Sequence, residues 1–223
     1  MHEAYPGRVI DVGIAEAEAV ASAAGMAYEG AHPVVALYAT FLNRGFDQLL
    51  MDVALHRAGV TLVLDRAGVT GADGASHNGV WDIAMCSLIP GLRLAAPRDE
   101  DTLRCRVREA LDVDDAPTVI RYRKGSLPEP MPALRSVGGV DILVDEAGAD
   151  SPARVLIVGT GACAPDAIEA ARRLVADGMS VTVADPQWMI PVPQELTAMA
   201  HDYDCVVSVE DGIVQGGFGW SLR

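Results

Sequence analysis

Residues 61–79 read TLVLDRAGVTGADGASHNG: an apolar run that breaks into a loop carrying Arg66, Asp73 and His77 among four glycines. The run Thr61-Leu62-Val63-Leu64 has the length and β-branched content of a buried strand. A strand that empties into a Gly-rich loop holding a fixed cation, a carboxylate and an imidazole is how α/β proteins present chemistry at a sheet edge. The glycines let the backbone turn tightly and lie close to a ligand. A loop this long without regular structure is uncommon unless functional or disordered, and function is the expectation here. A solvated connector is the plainer alternative.

Apolar runs alternate with helical stretches on both sides of this segment, which implies parallel α/β architecture in two lobes, each a sheet flanked by helices. In the first lobe strands are expected at 9–12, 34–37, 61–64, 93–96 and 118–122, with helices at 15–28, 42–56 and 99–111. Residues 126–139 are rich in Pro and Gly and suit an interdomain linker. The second lobe then reads strand 155–158, helix 166–177, strand 180–184, helix 194–202 and strand 205–209. The lobes are thus placed at 1–125 and 140–223.

A chain of 223 residues suits one large domain or two small ones, with enough length for a real core. It is 50% hydrophobic but only 5% aromatic, as a helix-covered parallel sheet requires. The formal net charge of -14 argues against nucleic acid or an anionic membrane as partner. A phosphorylated ligand would therefore depend on local cations. Cys86, Cys105, Cys163 and Cys205 show neither CxxC nor zinc spacing and read as core thiols of a reducing cytoplasm. No apolar run reaches the ~18 residues that span a bilayer, and no signal-peptide pattern opens the chain. A cytoplasmic protein with no metal site of its own is expected.

Gly159-Thr160-Gly161-Ala162-Cys163-Ala164 follows a strand, opens a helix and fits GxGxxA. Asp185 closes the next strand, where a dinucleotide's ribose would be met. A nicotinamide-dinucleotide module is thus a rival reading, though the glycine pattern is a short one.

Five stretches follow one another along the chain: DVGIAE (11–16), LYATFLNRGFDQ (37–48), DRAGVTGADGASH (65–77), AAPRDE (95–100) and VIRYRKG (119–125). In this order they resemble the 1-deoxy-D-xylulose-5-phosphate synthases, thiamine-diphosphate enzymes of the transketolase superfamily. The resemblance covers essentially the whole chain and begins at the second of that family's three domains. It implies a thiamine-diphosphate-binding fold followed by an incomplete transketolase C-terminal-like lobe. Glu16 takes the place of the carboxylate that activates the cofactor's aminopyrimidine. At a helix start it equally suits stabilisation by the helix dipole. Phe41, with Tyr38 and Arg44, corresponds to the segment that stacks on the pyrimidine. Spacing by three puts these side chains on one helical face, a pattern that by itself also describes core packing. Arg66 and Lys124 correspond to the phosphate-binding positions for glyceraldehyde 3-phosphate. His77 corresponds to a contact to substrate oxygens, with Tyr38 beside the substrate and Asp73 orienting His77 or the loop.

The chain departs from the family in three places. Ala17-Glu18 replace the Gln-His that follows the catalytic Glu, and Lys124 stands where Arg is common. The GDG…N motif that holds diphosphate and Mg2+ does not occur in this sequence. The resemblance therefore implies a C-terminal half that binds thiamine diphosphate and Mg2+ only with an N-terminal-half, diphosphate-binding partner, in a homo- or hetero-oligomer. The implied reaction joins pyruvate to glyceraldehyde 3-phosphate, in isoprenoid-precursor and thiamine biosynthesis. The alternatives are a catalytically silent remnant or assembly subunit, or a split transketolase-like enzyme with another acceptor.

Overall fold

The computed structural model describes residues 3–148 and 153–222. Four short apolar runs make the first sheet: β1 (Val34–Tyr38), β2 (Thr61–Asp65), β3 (Arg93–Ala95) and β4 (Thr118–Arg121). They pair in the order β1-β2-β4-β3, all parallel. Parallel strands are covered on both faces, which is why Leu62, Leu64, Leu94, Val119 and Ile120 are fully buried. Helices α1 (Glu16–Tyr28), α2 (Phe46–Gln48), α3 (Asp82–Ser87) and α4 (Glu100–Leu111) flank this sheet. Small residues on α1, among them Ala23 and Ala24, let it pack closely. Asp99 starts α4 with a reciprocal cap: its carboxylate accepts from Thr102 N (2.9 Å), and Thr102 Oγ1 accepts from Asp99 N (3.0 Å).

The second sheet joins β5 (Arg135–Val137), β6 (Val140–Glu146), β7 (Arg154–Gly159), β8 (Ser180–Pro186) and β9 (Cys205–Val209) in the order β5-β6-β8-β7-β9. Helices α5 (Ala164–Ala176) and α6 (Gln194–Ala200) belong to this lobe. The lobes share one core, since Val140, Leu156, Met189 and Phe218 belong to the same buried cluster as the first sheet. Leu94 and Ile190 also form an antiparallel bridge between the lobes. Among the described residues no helix is long and apolar enough to cross a membrane.

The α/β architecture of two helix-flanked sheets is as expected; α3 and β6 come in addition to the expected elements, and five expectations are altered. Residues 9–12 form no strand; they run along the surface, with Ile10 64% exposed and Val12 38% exposed. The helix expected at 42–56 starts earlier, as a 3-10 turn over Ala39–Arg44, breaks at Gly45, and continues through α2 into a π-type turn at Leu49–Ala54. Close packing fixes the residue at the break: a side chain at Gly45 would press on the Glu16 carbonyl and Val20 of α1. The second sheet is mixed rather than parallel, because β5–β6 and β6–β8 pair antiparallel. Strand β5 lies inside the stretch read as a linker, and a two-residue turn at Gly138 (φ 54°) and Gly139 (φ 83°) joins it to β6. Finally, Cys86 and Cys163 are buried, but Cys105 and Cys205 are exposed and are not core thiols.

Candidate functional site

Strand β1 delivers Tyr38 to the C-terminal edge of the first sheet, and the 3-10 turn that follows has three residues per turn. Side chains three apart therefore eclipse, and Tyr38, Phe41 and Arg44 form a column. The rings of Tyr38 and Phe41 are stacked at 6.0 Å with 14° between their planes. The Arg44 guanidinium lies 4.3 Å from the Phe41 centroid, and that of Arg66 lies 4.0 Å from the Tyr38 centroid. His77 meets Phe41 edge-on at 5.6 Å. At the foot of the column Arg44 Nη1 is 3.3 Å from both Glu16 carboxylate oxygens. The Glu16 side chain is 12% exposed, at the first residue of α1. Glu18 faces away, accepting from Ser22 Oγ (2.9 Å).

The Gly-rich loop begins with a constrained residue. Arg66 has φ 60°, a left-handed conformation that costs a non-glycine residue about 1–3 kcal/mol and collects at functional sites. Asp65 holds it there, accepting from Arg66 N (2.7 Å) and Nη1 (2.9 Å). The loop is not a loose connector. Gly68 N donates to Gly79 O (2.9 Å) across its mouth, and Thr70 N and Oγ1 donate to Asn78 Oδ1 (3.0 and 3.1 Å). Thr40 Oγ1, from the 3-10 turn, donates to Ser76 O (3.0 Å) and ties the loop to the column.

Because β2 and β4 are neighbours, Lys124 emerges beside this loop. Its Nζ donates to both oxygens of Asp73 (2.7 and 2.8 Å), and Arg66 Nε lies 3.6 Å from the same carboxylate. The bond from Lys124 holds the Asp73 carboxyl below the usual carboxylate range. Asp73 thus holds the two cations, while His77 Nδ1 pairs with Ser76 Oγ (3.0 Å).

All the expected site residues meet on one surface, and that surface has a clear chemical character. It offers an aromatic face to stack a flat ring, a carboxylate to accept from a ring nitrogen, and two cations for a phosphate. The Arg44 contact on the half-buried Phe41 ring is worth about 0.5–2 kcal/mol, little enough for an incoming ring to displace it. The aromatic face and the accepting carboxylate fit the pyrimidine half of thiamine diphosphate. Among the described residues no group of three or more His, Cys, Asp or Glu side chains is placed to hold a metal ion.

The rival dinucleotide motif is otherwise engaged. Gly161 packs against Ala96 so closely that a methyl group would overlap it. Asp185 is buried and accepts from Arg98 Nη1 (2.9 Å). Both the turn and the acid are buried against protein.

Asp65, Thr40 and the buried cluster of Arg121, Asp82 and Asp211 join the site without having been expected from the sequence. Asp65 was findable as a carboxylate abutting Arg66. The cluster left no local signal, since Arg121 and Asp211 stand 90 positions apart.

Residues 1–130 match the family Transketolase, pyrimidine binding domain, and residues 149–222 match Transketolase, C-terminal domain. The chain is 55% identical over 217 residues to the 1-deoxy-D-xylulose-5-phosphate synthase of Corynebacterium glutamicum strain R, covering 96% of this chain and 34% of that protein. It is 57% identical over 228 residues to the synthase of Kocuria rhizophila, covering 100% of this chain and 34% of that protein. Against 1-deoxy-D-xylulose-5-phosphate synthase 2 of Kitasatospora griseola it is 57% identical over 222 residues, covering 99% and 35%. The chain therefore spans about a third of the length of these relatives. A solved structure described as "Split gene transketolase, inactive beta4 tetramer" superposes with a TM-score of 0.82 at 28% identity, covering 99% of this chain and 71% of that one.

Proposed function

Because the chain belongs to the transketolase family, through its pyrimidine-binding domain, we propose that it supplies the pyrimidine half of a thiamine-diphosphate site. With a partner chain carrying the diphosphate- and Mg2+-binding half, it condenses pyruvate with glyceraldehyde 3-phosphate to 1-deoxy-D-xylulose 5-phosphate and CO2. This transferase reaction feeds isoprenoid-precursor and thiamine biosynthesis. The observation that carries the reading is the continuous column Glu16–Arg44–Phe41–Tyr38–Arg66, with Asp73 and Lys124 at its far end. The relatives' names supply the choice of reaction.

Bound thiamine diphosphate would supply the nucleophilic carbon and the electron sink for loss of CO2 from pyruvate. Glu16 then accepts a hydrogen bond from a pyrimidine nitrogen, and its partial burial strengthens that bond. Phe41 stacks on the ring once Arg44 swings aside. Arg66 and Lys124 grip the acceptor's phosphate, Arg66 through a planar fork and Lys124 as a point charge. A dianionic phosphate competes with the single charge of Asp73 for both cations. His77, edge-on to Phe41, reaches toward the substrate oxygens between the two subsites.

The solved neighbour is described as an inactive β4 tetramer, which supports expecting the isolated chain to self-associate and to be inactive. The test is formation of 1-deoxy-D-xylulose 5-phosphate from pyruvate and glyceraldehyde 3-phosphate, with thiamine diphosphate and Mg2+ present. The chain is assayed alone and then with an N-terminal-half chain. Turnover only in the mixture is the expected result. Silence in a mixture whose chains are folded and bound would favour a silent assembly subunit. Turnover with another acceptor would favour a split transketolase-like enzyme.

A further inference from the structure

The cluster of Arg121, Asp82 and Asp211 stands apart from the column, and none of the roles above uses it. Arg121 is buried at the end of β4. Its Nε donates to Asp82 (2.7 Å) at the start of α3, and its Nη1 donates to Asp211 (2.7 Å) in the loop after β9. Asp211 is thus a carboxylate of the second lobe that reaches into the first. Its other oxygen accepts from Arg123 Nε (3.3 Å). The same carboxylate occupies the space above Gly68, where even a methyl group would overlap it. Two residues further on, Ile213 N donates to Val80 O (3.0 Å), just past the bond between Gly68 and Gly79 that closes the loop. Both ends of the Gly-rich loop, and the backbone leaving β4 toward Lys124, therefore rest on residues 211–213 of the second lobe.

We infer that Asp211 is a positioning residue for the cation pair Arg66 and Lys124, an inference that rests on the function proposed above, in which that pair holds the acceptor's phosphate. Asp211 fixes Arg121 and Arg123, and so fixes the turn on which Lys124 stands. By filling the space over Gly68 it sets the path of the chain two residues beyond Arg66. Charge-assisted bonds to phosphate are short and directional, so misplacing either cation by about 1 Å forfeits much of its grip. Asp211 acts from behind the loop, with its side chain 9% exposed. The phosphate subsite is consequently assembled only when the second lobe is docked.

Asp211→Asn tests this. It keeps an oxygen for Arg121 and so keeps the fold, but it removes the charge that holds Arg123. Hydrogen exchange on the isolated chain should show peptides covering 66–79 and 121–125 exchanging ~10-fold faster, with α5 peptides unchanged. In the two-chain mixture the KM for glyceraldehyde 3-phosphate should rise ~10-fold, while kcat and the KM for unphosphorylated glyceraldehyde stay within about twofold. Gly68→Ala presses on the same contact from the loop side and, at φ 77°, also strains the loop itself, so it should give the same pattern at least as strongly. Unchanged exchange in both variants would overturn the coupling whatever the enzyme does. A loosened loop with an unchanged KM for glyceraldehyde 3-phosphate would overturn the positioning role, as would an equal rise for both aldehydes. A wild-type mixture without turnover would remove the proposed function instead, and the exchange result alone would then decide the coupling.

Discussion

Asp73 sits between Lys124 and Arg66 and keeps two like charges close together when no phosphate is bound. Its carboxyl is held low mainly by the Lys124 bond, so the contact survives through the ordinary carboxylate range and is lost only as pH falls below it. Lys124→Ala should move the Asp73 titration, followed by NMR, back up toward that range; an unmoved titration would show that Lys124 is not the cause. In the two-chain mixture the same variant should raise the KM for glyceraldehyde 3-phosphate about tenfold or more, while Lys124→Arg retains most of the affinity. The melting temperature should barely change, because the pair is solvent-screened. Much of this site was legible residue by residue. The spacing of Tyr38, Phe41 and Arg44 by three implied a shared face, and the 3-10 turn makes them a column. What a single chain cannot display is who holds whom: Asp73, expected to orient His77 or the loop, also pairs with Lys124 and lies 3.6 Å from Arg66.

At the scale of elements, the cap on α4 does more than start a helix. Asp99 accepts from Thr102 N with one oxygen and from Met131 N (2.8 Å) with the other, so one carboxylate anchors both the helix and the segment that leaves the first lobe. Asp99→Ala should cost about 1–2 kcal/mol and lower the melting temperature by ~3–6 °C; a loss no larger than that of an exposed Asp→Ala control would contradict the double role. The strands at 34–37, 61–64, 118–122 and 205–209 were legible because runs of Val, Leu and Ile bounded by turn residues have few other uses. Residues 9–12 show the same local pattern, but pair with no strand among the described residues. The helix expected at 42–56 is interrupted at Gly45, a poor helix former that stands where α1 passes too close for any side chain. The hairpin of β5 and β6 had a signal, Gly138-Gly139 between apolar residues, that was absorbed into a reading of the segment as a linker.

At the scale of the whole molecule, Arg98 joins the lobes from a buried position, donating to Asp141 (2.7 Å) and Asp185 (2.9 Å). Burial pushes the Asp141 carboxyl up, but bonds from Ser136, Gln187 and Arg98 outweigh it and hold the group below the usual range. Asp185 has only Arg98 and a long bond from Gly161 N (3.4 Å), and burial lifts it to about 7. The folded chain therefore keeps a proton on Asp185 at pH values where the unfolded chain, near 3.8, has lost it. Stability from this group is full below the unfolded value and declines as pH rises toward 7, by ~2–4 kcal/mol in all. Asp185→Asn should remove that decline, so the melting temperature of wild type relative to the variant should fall between pH 4 and 7. A constant difference across that range would show that Asp185 does not titrate there. The proposed function turns on Glu16, largely buried against Arg44 at the start of α1. The measurement that tests it most directly is turnover of pyruvate and glyceraldehyde 3-phosphate by the two-chain mixture with Glu16→Ala in place of wild type. At least a ~100-fold loss of kcat is expected, with the chains still associated. Full turnover by the variant mixture would contradict the proposed function.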